Sequence, residues 1–101
     1  MWVYFQWDKL KAATNLKKHK ISFEEATTVF EDGWSYSFPD AVHSISEERY
    51  LIIGISRFQK ILVISYTHIE TQEQEIIRII SARKATKNES RFYEEKKNGK
   101  R

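Results

Sequence analysis

The pattern of apolar and polar positions predicts a strand and two helices in the first third of the chain. Residues 2–6 are mostly aromatic or β-branched, which is typical of a strand. Two segments with apolar residues one helical turn apart follow, at about residues 9–18 and 22–31. Ser22 and Glu25 have the spacing of a capping box at the start of the second helix.

The rest of the pattern predicts a sheet and one more helix. The predicted strands are residues 34–38, 49–56, 61–68 and 75–82. The connections between the last three are short enough for antiparallel neighbours. Thr86 and Glu89 repeat the capping-box spacing and begin a C-terminal amphipathic helix. The order β-α-α-β-β-β-β-α predicts an α+β fold, with an antiparallel sheet, helices packed on one of its faces and the other face free for function.

Length and composition indicate one domain. A chain of 101 residues can form one modest core but not two, so a single domain is predicted over residues 1–101, with a basic, frayed tail from about residue 96. Apolar and aromatic contents of 41% and 14% argue against disorder, and the absence of cysteine excludes disulfides and thiolate metal sites. The apolar runs, such as residues 51–53, are far too short for a membrane span, and the first residues do not resemble a signal peptide. A cytoplasmic protein without a membrane partner is therefore expected.

Positive charge is unevenly distributed along the chain. The net charge is +3, but residues 83–101 carry eight Lys/Arg and three Glu, whereas the first 82 residues carry nine positive and eleven negative charges. Such a block suits a polyanionic partner or an acidic protein surface, or is simply a solvated basic helix. A second basic run, formed by Lys17, Lys18, His19 and Lys20, lies between the first two predicted helices.

A few polar residues stand out within the apolar strands. Arg78 lies in the middle of an otherwise apolar strand, so it is either on a solvated sheet face or paired. Tyr66 and His68 share one face of the preceding strand, where tyrosines mostly pack with only the hydroxyl in water. The three histidines lack the spacing of metal ligands, so no metal and no cofactor is expected.

These residue types are compatible with the cleavage of RNA. RNA carries its own nucleophile, the 2′-hydroxyl, so an enzyme must only move protons and stabilise the charge that develops on phosphorus. His, Lys, Tyr and Glu can transfer protons, and Arg and Lys can hold the phosphate. The composition permits this chemistry but does not demand it.

Four stretches carry motifs with a specific order and spacing. They are FQWDKLKAATNLKKHKISFEEATTVFED (5–32), HSISEERYLIIGIS (43–56), ILVISYT (61–67) and IRIISARKATKNESRFYEE (77–95). In these stretches, which cover most of the chain, the sequence resembles the BrnT family of small toxins from type II toxin–antitoxin pairs. One departure is residues 57–60, Arg-Phe-Gln-Lys, where relatives more often have a Gly-Arg turn.

The resemblance implies a ribonuclease toxin of RelE-like fold that cleaves RNA without a metal ion and stops translation. It also implies a BrnA-type antitoxin with a ribbon-helix-helix DNA-binding domain, which neutralises the toxin. The pair would repress its own operon, with operator DNA bound through the antitoxin, and a toxin–antitoxin heterotetramer is one expected assembly. Two alternatives stay open: an inactive relative that only binds an antitoxin or nucleic acid, and a metal-dependent hydrolase.

The family's motif positions, carried onto this sequence, give a candidate site. The catalytic residues that the resemblance implies are His19, Tyr66, Arg78 and Arg83. The substrate-binding residues that it implies are Lys18, Arg49, Lys84 and Tyr93. Lys18 and His19 have a structural alternative, since both also suit the negative end of a helix dipole. Arg78 and Arg83 have opposite parity on their strand, so a bulge or strand end near Ser81 must bring them to one face.

Overall fold

The computed structural model describes residues 2–99, in which five strands and three α-helices follow the predicted order. The elements are β1 Trp2–Gln6, α1 Lys9–His19, α2 Phe23–Thr27, β2 Tyr36–Pro39, β3 Tyr50–Ile55, β4 Ile61–Glu70, β5 Gln74–Lys84 and α3 Lys87–Asn98. The C-terminal tail expected from about residue 96 is still helical as far as Asn98, and Lys100 and Arg101 lie outside the described residues. No helix within residues 2–99 is long and apolar enough to cross a membrane.

The second predicted helix divides into two kinds of helix. α2 is a short α-helix, and the chain then tightens into a 3-10 turn over Thr28–Glu31. The hydroxyls of Thr27 and Thr28 donate to the carbonyls three residues earlier, each at 2.7 Å, and such back-bonding disturbs a regular α-helix. The capping box at Thr86 and Glu89 forms as predicted and begins α3.

The sheet is mixed, so the prediction of a purely antiparallel sheet was wrong. The strand order is β1-β5-β4-β3-β2, in which β2 to β5 pair antiparallel and β1 pairs parallel with β5. Short connections fix the direction of β3, β4 and β5. β1 and β5 are far apart in the sequence, with β2, β3 and β4 between them. No short connection therefore indicated the direction of β1.

Helices cover both faces of the sheet, so the prediction of helices on one face was also wrong. On what we call the first face, α1 and α2 pack over a core that includes Ile52, Leu62 and Ile64. On the second face, α3 packs through Tyr93 against a smaller cluster that includes Ile53 and Val63. β3 and β4 therefore bury apolar side chains of both parities. A strand of that kind needs cover on both sides.

A bulge in β5 reverses the parity of that strand. Ser65 pairs with Ser81 and Tyr66 with Ile79, which leaves Ile80 as the extra residue. Arg78 pairs with Thr67 and Arg83 with Val63. Thr67 and Val63 have the same parity on β4, so Arg78 and Arg83 lie on the same, second face of the sheet.

Candidate nucleic-acid interface

One buried asparagine fixes α1 to the edge of β5. β1 covers this edge only as far as Arg78, and beyond it the side chain of Asn15 pairs with the backbone of Ala82. Its Nδ2 donates to the Ala82 carbonyl at 2.8 Å, and its Oδ1 accepts from the Ala82 N–H at 3.1 Å. Nδ2 also donates to the Ile21 carbonyl at 3.0 Å. A strand edge is thereby satisfied by a helix side chain, and the C-terminus of α1 is held beside the second half of β5.

This contact brings Lys18 and His19 next to Ser81. All three line a shallow hollow between α1 and β5, where Lys18 is exposed and His19 half-buried. His43 and His68 each lie against a carboxylate, at 2.9 Å and 2.6 Å, whereas His19 has no such partner among residues 2–99. Within residues 2–99, no carboxylate therefore occupies the ring nitrogens of His19, and a ligand in the hollow can contact them.

Arg83 is held by a bidentate salt bridge. Its two terminal nitrogens donate to the Glu89 carboxylate at 2.8 and 3.0 Å. This contact, although opposed by burial, lowers the pKa of Glu89 to about 2, and the Thr86 N–H contributes through the capping box. The same contact raises the pKa of Arg83. The guanidinium is thus fixed in direction on the second face, next to the N-terminus of α3.

Arg78 is the more available of the two arginines. It is exposed, and its Nη1 donates to the side chain of Gln6 at 3.0 Å. Its partner Thr67 is four residues from the partner of Arg83 along β4, which separates the two arginine backbones by about 13 Å at about 3.3 Å per residue. The pair therefore suits successive phosphates, or one phosphate if both side chains lean toward it.

Further cations surround this end of the sheet, which we call the basic end. Lys84 is exposed and pairs with Leu62, and the turn between β3 and β4 lies alongside because the Ala85 N–H donates to the Ile61 carbonyl at 2.9 Å. The basic end comprises Lys17, Lys18, His19, Lys20, Arg57, Lys60, Arg83 and Lys84. A polyanion is attracted to such a surface without any sequence requirement.

Tyr66 lies away from these groups, on the first face. It is 8% exposed, stacked on Tyr50 at 5.7 Å between ring centroids and edge-on to Phe30 at 5.1 Å. Burial raises the pKa of its hydroxyl, a hydrogen bond from Ser37 opposes this, and Glu75 adds to the rise. The structure does not bring Tyr66 together with Arg78 or Arg83.

A second hollow on the first face contains acidic groups. Tyr66, His68 and Glu75 line it, and Glu70 faces Glu75 directly across the strand pair. The ligand atoms of His68, Glu70 and Glu75 lie within 4.8 Å of one another, so these three are the residues in the described part of the chain that could hold a metal ion. Sequence spacing did not reveal this set, because strand pairing and not a motif brings it together.

Tyr93 is a structural anchor in this geometry. It is 1% exposed, and its hydroxyl donates to Asp32 at 2.7 Å. Burial, followed by the contact with Asp32, raises the pKa of Tyr93. Burial also favours a higher pKa for Asp32, but hydrogen bonds from the Ile55 N–H, from Tyr93 and from the Trp34 N–H outweigh it, so the pKa of Asp32 is lowered. This placement favours a packing role over the substrate contact that the resemblance implies.

Two further charged residues lie near the sheet: Arg49, which the sequence predicted for the site, and Glu25, which it did not. Arg49 precedes β3 and donates to Glu47 at 3.3 Å through Nε and Nη2. Sequence reasoning missed Glu25, a buried carboxylate that accepts a 2.7 Å hydrogen bond from the Ser56 hydroxyl and lies 3.9 Å from Lys60. Its capping-box spacing had suggested a role at the helix start alone.

Comparison with known proteins relates this arrangement to a protein family and to a solved crystal structure. The model of the family described as "Ribonuclease toxin, BrnT, of type II toxin-antitoxin system" matches residues 7–89. The 1.1 Å crystal structure of the Brucella abortus ribonuclease toxin, BrnT, has a TM-score of 0.62 at 20% sequence identity, over 86% of this chain and 100% of that chain. Among curated proteins no sequence matches significantly. The family match confirms the predicted resemblance, and the structural match shows that the fold is shared.

Proposed function

The chain belongs to the BrnT family of ribonuclease toxins of type II toxin–antitoxin systems, and we propose that it cleaves RNA at its basic end without a metal ion. One observation carries this proposal: Lys18 and His19 lie beside Ser81, two residues before Arg83, so an imidazole and a fixed guanidinium border the same part of β5. The RelE-like fold stays part of the proposal, supported by the order of strand, two helices, antiparallel strands and final helix.

The proposed reaction needs only groups that RNA and this surface supply. A base removes the proton of the 2′-hydroxyl, the 2′-oxygen attacks phosphorus, and the bond to the 5′-oxygen breaks. The proton is then passed to the departing 5′-oxygen, so a 2′,3′-cyclic phosphate and a 5′-hydroxyl result. His19 is the proposed proton-transfer group, while Arg83, Arg78 and Lys18 stabilise the charge on the phosphate oxygens.

Tyr66 and Tyr93 take no part in this arrangement. Tyr66 lines the acidic hollow on the first face of the sheet, and the side chain of Tyr93 is enclosed between α3 and the second face. Arg49 and Lys84 remain proposed contacts to the RNA backbone. A half-buried guanidinium and an exposed ammonium can each bind a phosphate at some distance from the reacting bond.

Cleavage assays separate this proposal from its alternatives. The purified chain is incubated with single-stranded RNA in EDTA, and in parallel with an oligonucleotide of the same sequence that is 2′-O-methylated throughout. Cleavage of the first and not of the second is expected. Cleavage that EDTA abolishes would identify a metal-dependent hydrolase, and binding without cleavage would identify an inactive binding module.

A toxin of this class acts together with an antitoxin, and we propose a BrnA-type ribbon-helix-helix protein. The exposed, basic residues at the end of α3, Lys96 and Lys97, would speed its association if the contacting surface is acidic. Operator DNA would then be bound through the antitoxin, in a heterotetramer, and free toxin would stop translation in the cytoplasm.

The protein encoded beside this chain's gene serves as the test partner. Co-purification with a short ribbon-helix-helix protein is expected, and light scattering measures whether the complex contains two copies of each. The Lys96→Ala/Lys97→Ala variant should associate more slowly at low salt, with less difference at high salt. Association rates equal to wild type at low salt would remove α3 from the proposed interface.

A further inference from the structure

The turn between β3 and β4 presents an aromatic ring to solvent. Phe58 is 61% exposed, and it lies between the exposed Arg57 and Lys60, whose side chain is partly exposed. A single exposed apolar side chain is ordinary on a protein surface and assigns nothing by itself. The rigidity of this turn and its position at the basic end distinguish Phe58 from other exposed apolar residues.

Ser56 makes the turn rigid. Its N–H donates to the Lys60 carbonyl at 2.8 Å, and its hydroxyl oxygen accepts from the Phe58 N–H at 3.2 Å. The same hydroxyl donates to the buried Glu25 carboxylate at 2.7 Å, which ties the turn to α2. Gln59 completes the reversal in the left-handed region, with φ of 64°. The backbone that carries Phe58 therefore has little freedom left to lose when a ligand binds.

The turn lies at the same end of the sheet as Arg83. Phe58 is three residues from Ile61, which accepts a hydrogen bond from the Ala85 N–H just after β5. At no more than about 3.3 Å per residue, the backbone of Phe58 lies within about 10 Å of Ile61 and so near this end of β5. An RNA strand whose phosphate is held by Arg83 has its next nucleotides within reach of the turn.

We propose that Phe58 stacks against an unpaired base of the substrate, while Arg57 and Lys60 contact the neighbouring phosphates. This inference rests on the proposed ribonuclease function and narrows its substrate class to single-stranded RNA. Bases in a single strand can be splayed onto an aromatic ring, whereas those in a duplex are stacked on each other. Stacking tolerates any base, so Phe58 contributes affinity and register without sequence specificity.

Binding to an uncleavable strand tests the stacking contact separately from catalysis. Fluorescence anisotropy with a labelled, fully 2′-O-methylated oligonucleotide gives the affinities of wild type, Phe58→Ala, Phe58→Tyr and Phe58→Leu. Because base stacking on an aromatic residue contributes about 1–3 kcal/mol, Phe58→Ala should bind about fivefold to 150-fold more weakly. Phe58→Tyr should bind like wild type, and Phe58→Leu should bind like the alanine variant.

Two controls separate stacking from a general loss of affinity. Trp2→Ala removes a ring that is 71% exposed at the other end of the sheet, where Trp2 pairs with Gln74, and should leave binding unchanged. A blunt duplex of the same length should bind wild type and Phe58→Ala equally. An affinity for the single strand within twofold of wild type in Phe58→Ala overturns the inference. Failure of wild type to cleave ordinary RNA instead overturns the proposed function and leaves the binding result interpretable.

Discussion

The two ends of the β4–β5 strand pair have opposite charge. At one end Val63 pairs with Arg83 and Leu62 with Lys84, whereas at the other end Glu70 pairs with Glu75. The basic end is joined by the C-terminus of α1 and by the β3–β4 turn. The acidic end is a hairpin with a further glutamate in its turn, at position 73, and with the His68–Glu75 pair on the first face.

The same backbone pairing therefore supports two different surfaces. Glu70 and Glu75 face each other directly, and like charges in that position are destabilising. At the basic end the cations come from three separate segments, which only the fold brings together. A polyanion, such as the proposed RNA substrate, would be attracted by one end and repelled by the other, so the charge distribution favours the basic end.

The test with the largest expected effect replaces one histidine at each end by glutamine. His19→Gln keeps a hydrogen-bonding side chain but removes proton transfer, and general acid or base catalysis contributes about 100- to 10,000-fold. Cleavage should therefore fall at least about 100-fold, whereas His68→Gln at the acidic end should cleave normally. Single-turnover rates with saturating RNA measure both. A loss below about tenfold in a folded His19→Gln would return this residue to a helix-end role.

The second test removes the arginines of the second face. Hydrogen bonds to charged groups contribute about 1.5–3 kcal/mol, so Arg78→Ala and Arg83→Ala should each weaken RNA binding by about tenfold to 150-fold. The dependence of affinity on salt should also become shallower, since fewer counterions are released. Anisotropy titrations at several salt concentrations measure both effects.

Arg91→Ala provides a matched control for the arginine variants. Arg91 is an exposed arginine on α3 that donates to Asn88 at 3.2 Å. Its loss removes the same charge from the chain without touching β5. If Arg78→Ala and Arg83→Ala bind RNA as tightly as Arg91→Ala, the second face of β5 is not the RNA-binding surface.

A third test uses acid to probe the salt bridge at the basic end. Arg83 holds the pKa of Glu89 at about 2, below its ordinary 4.5, so the stabilisation is complete above about pH 4.5 and disappears as the pH falls toward 2. Glu89 is 34% exposed, and solvent screening limits the contribution to about 1–2 kcal/mol.

Urea unfolding at pH 6 and pH 3 measures this contribution. Glu89→Gln should lower the free energy of unfolding at pH 6 and reduce its difference between the two pH values. Glu94→Gln, on the exposed side of α3, should behave like wild type. An unchanged pH dependence in Glu89→Gln would mean that the Arg83–Glu89 contact does not persist in solution.

Periodicity predicted most of the fold because it depends on neighbours along the chain. The strands 49–56 and 61–68 and the capping box at Thr86 are local features, and each lies within a few residues of its prediction. The direction of β1 and the face chosen by α3 depend on contacts between distant segments. No local pattern encodes them.

The candidate site shows the same limit. Parity required a bulge near Ser81 to unite Arg78 and Arg83, and the bulge is present at Ile80. The interior roles of Asn15, Glu25 and Asp32 were not predicted, because a polar residue in a helix or turn looks the same in sequence whether it faces solvent or a strand edge. The acidic hollow escaped notice for a related reason, since strand pairing assembles it.

The smallest test changes the acidic end itself. Glu70→Lys converts a like-charge pair with Glu75 into an opposite-charge pair directly across the strands, and such pairs contribute about 0.2–1 kcal/mol. The variant should therefore be slightly more stable in urea unfolding at pH 7. Gln72→Lys also places a lysine at this end, in the exposed turn and without a cross-strand partner, and should gain less. Cleavage at the basic end should be unaffected by both, because the new charge lies at the far end of the strand pair and is screened beyond about 10 Å at 0.1 M salt. A rise in RNA affinity that persists at 0.15 M salt would show that the strand of RNA extends along the whole sheet, and the two ends would then form one binding surface.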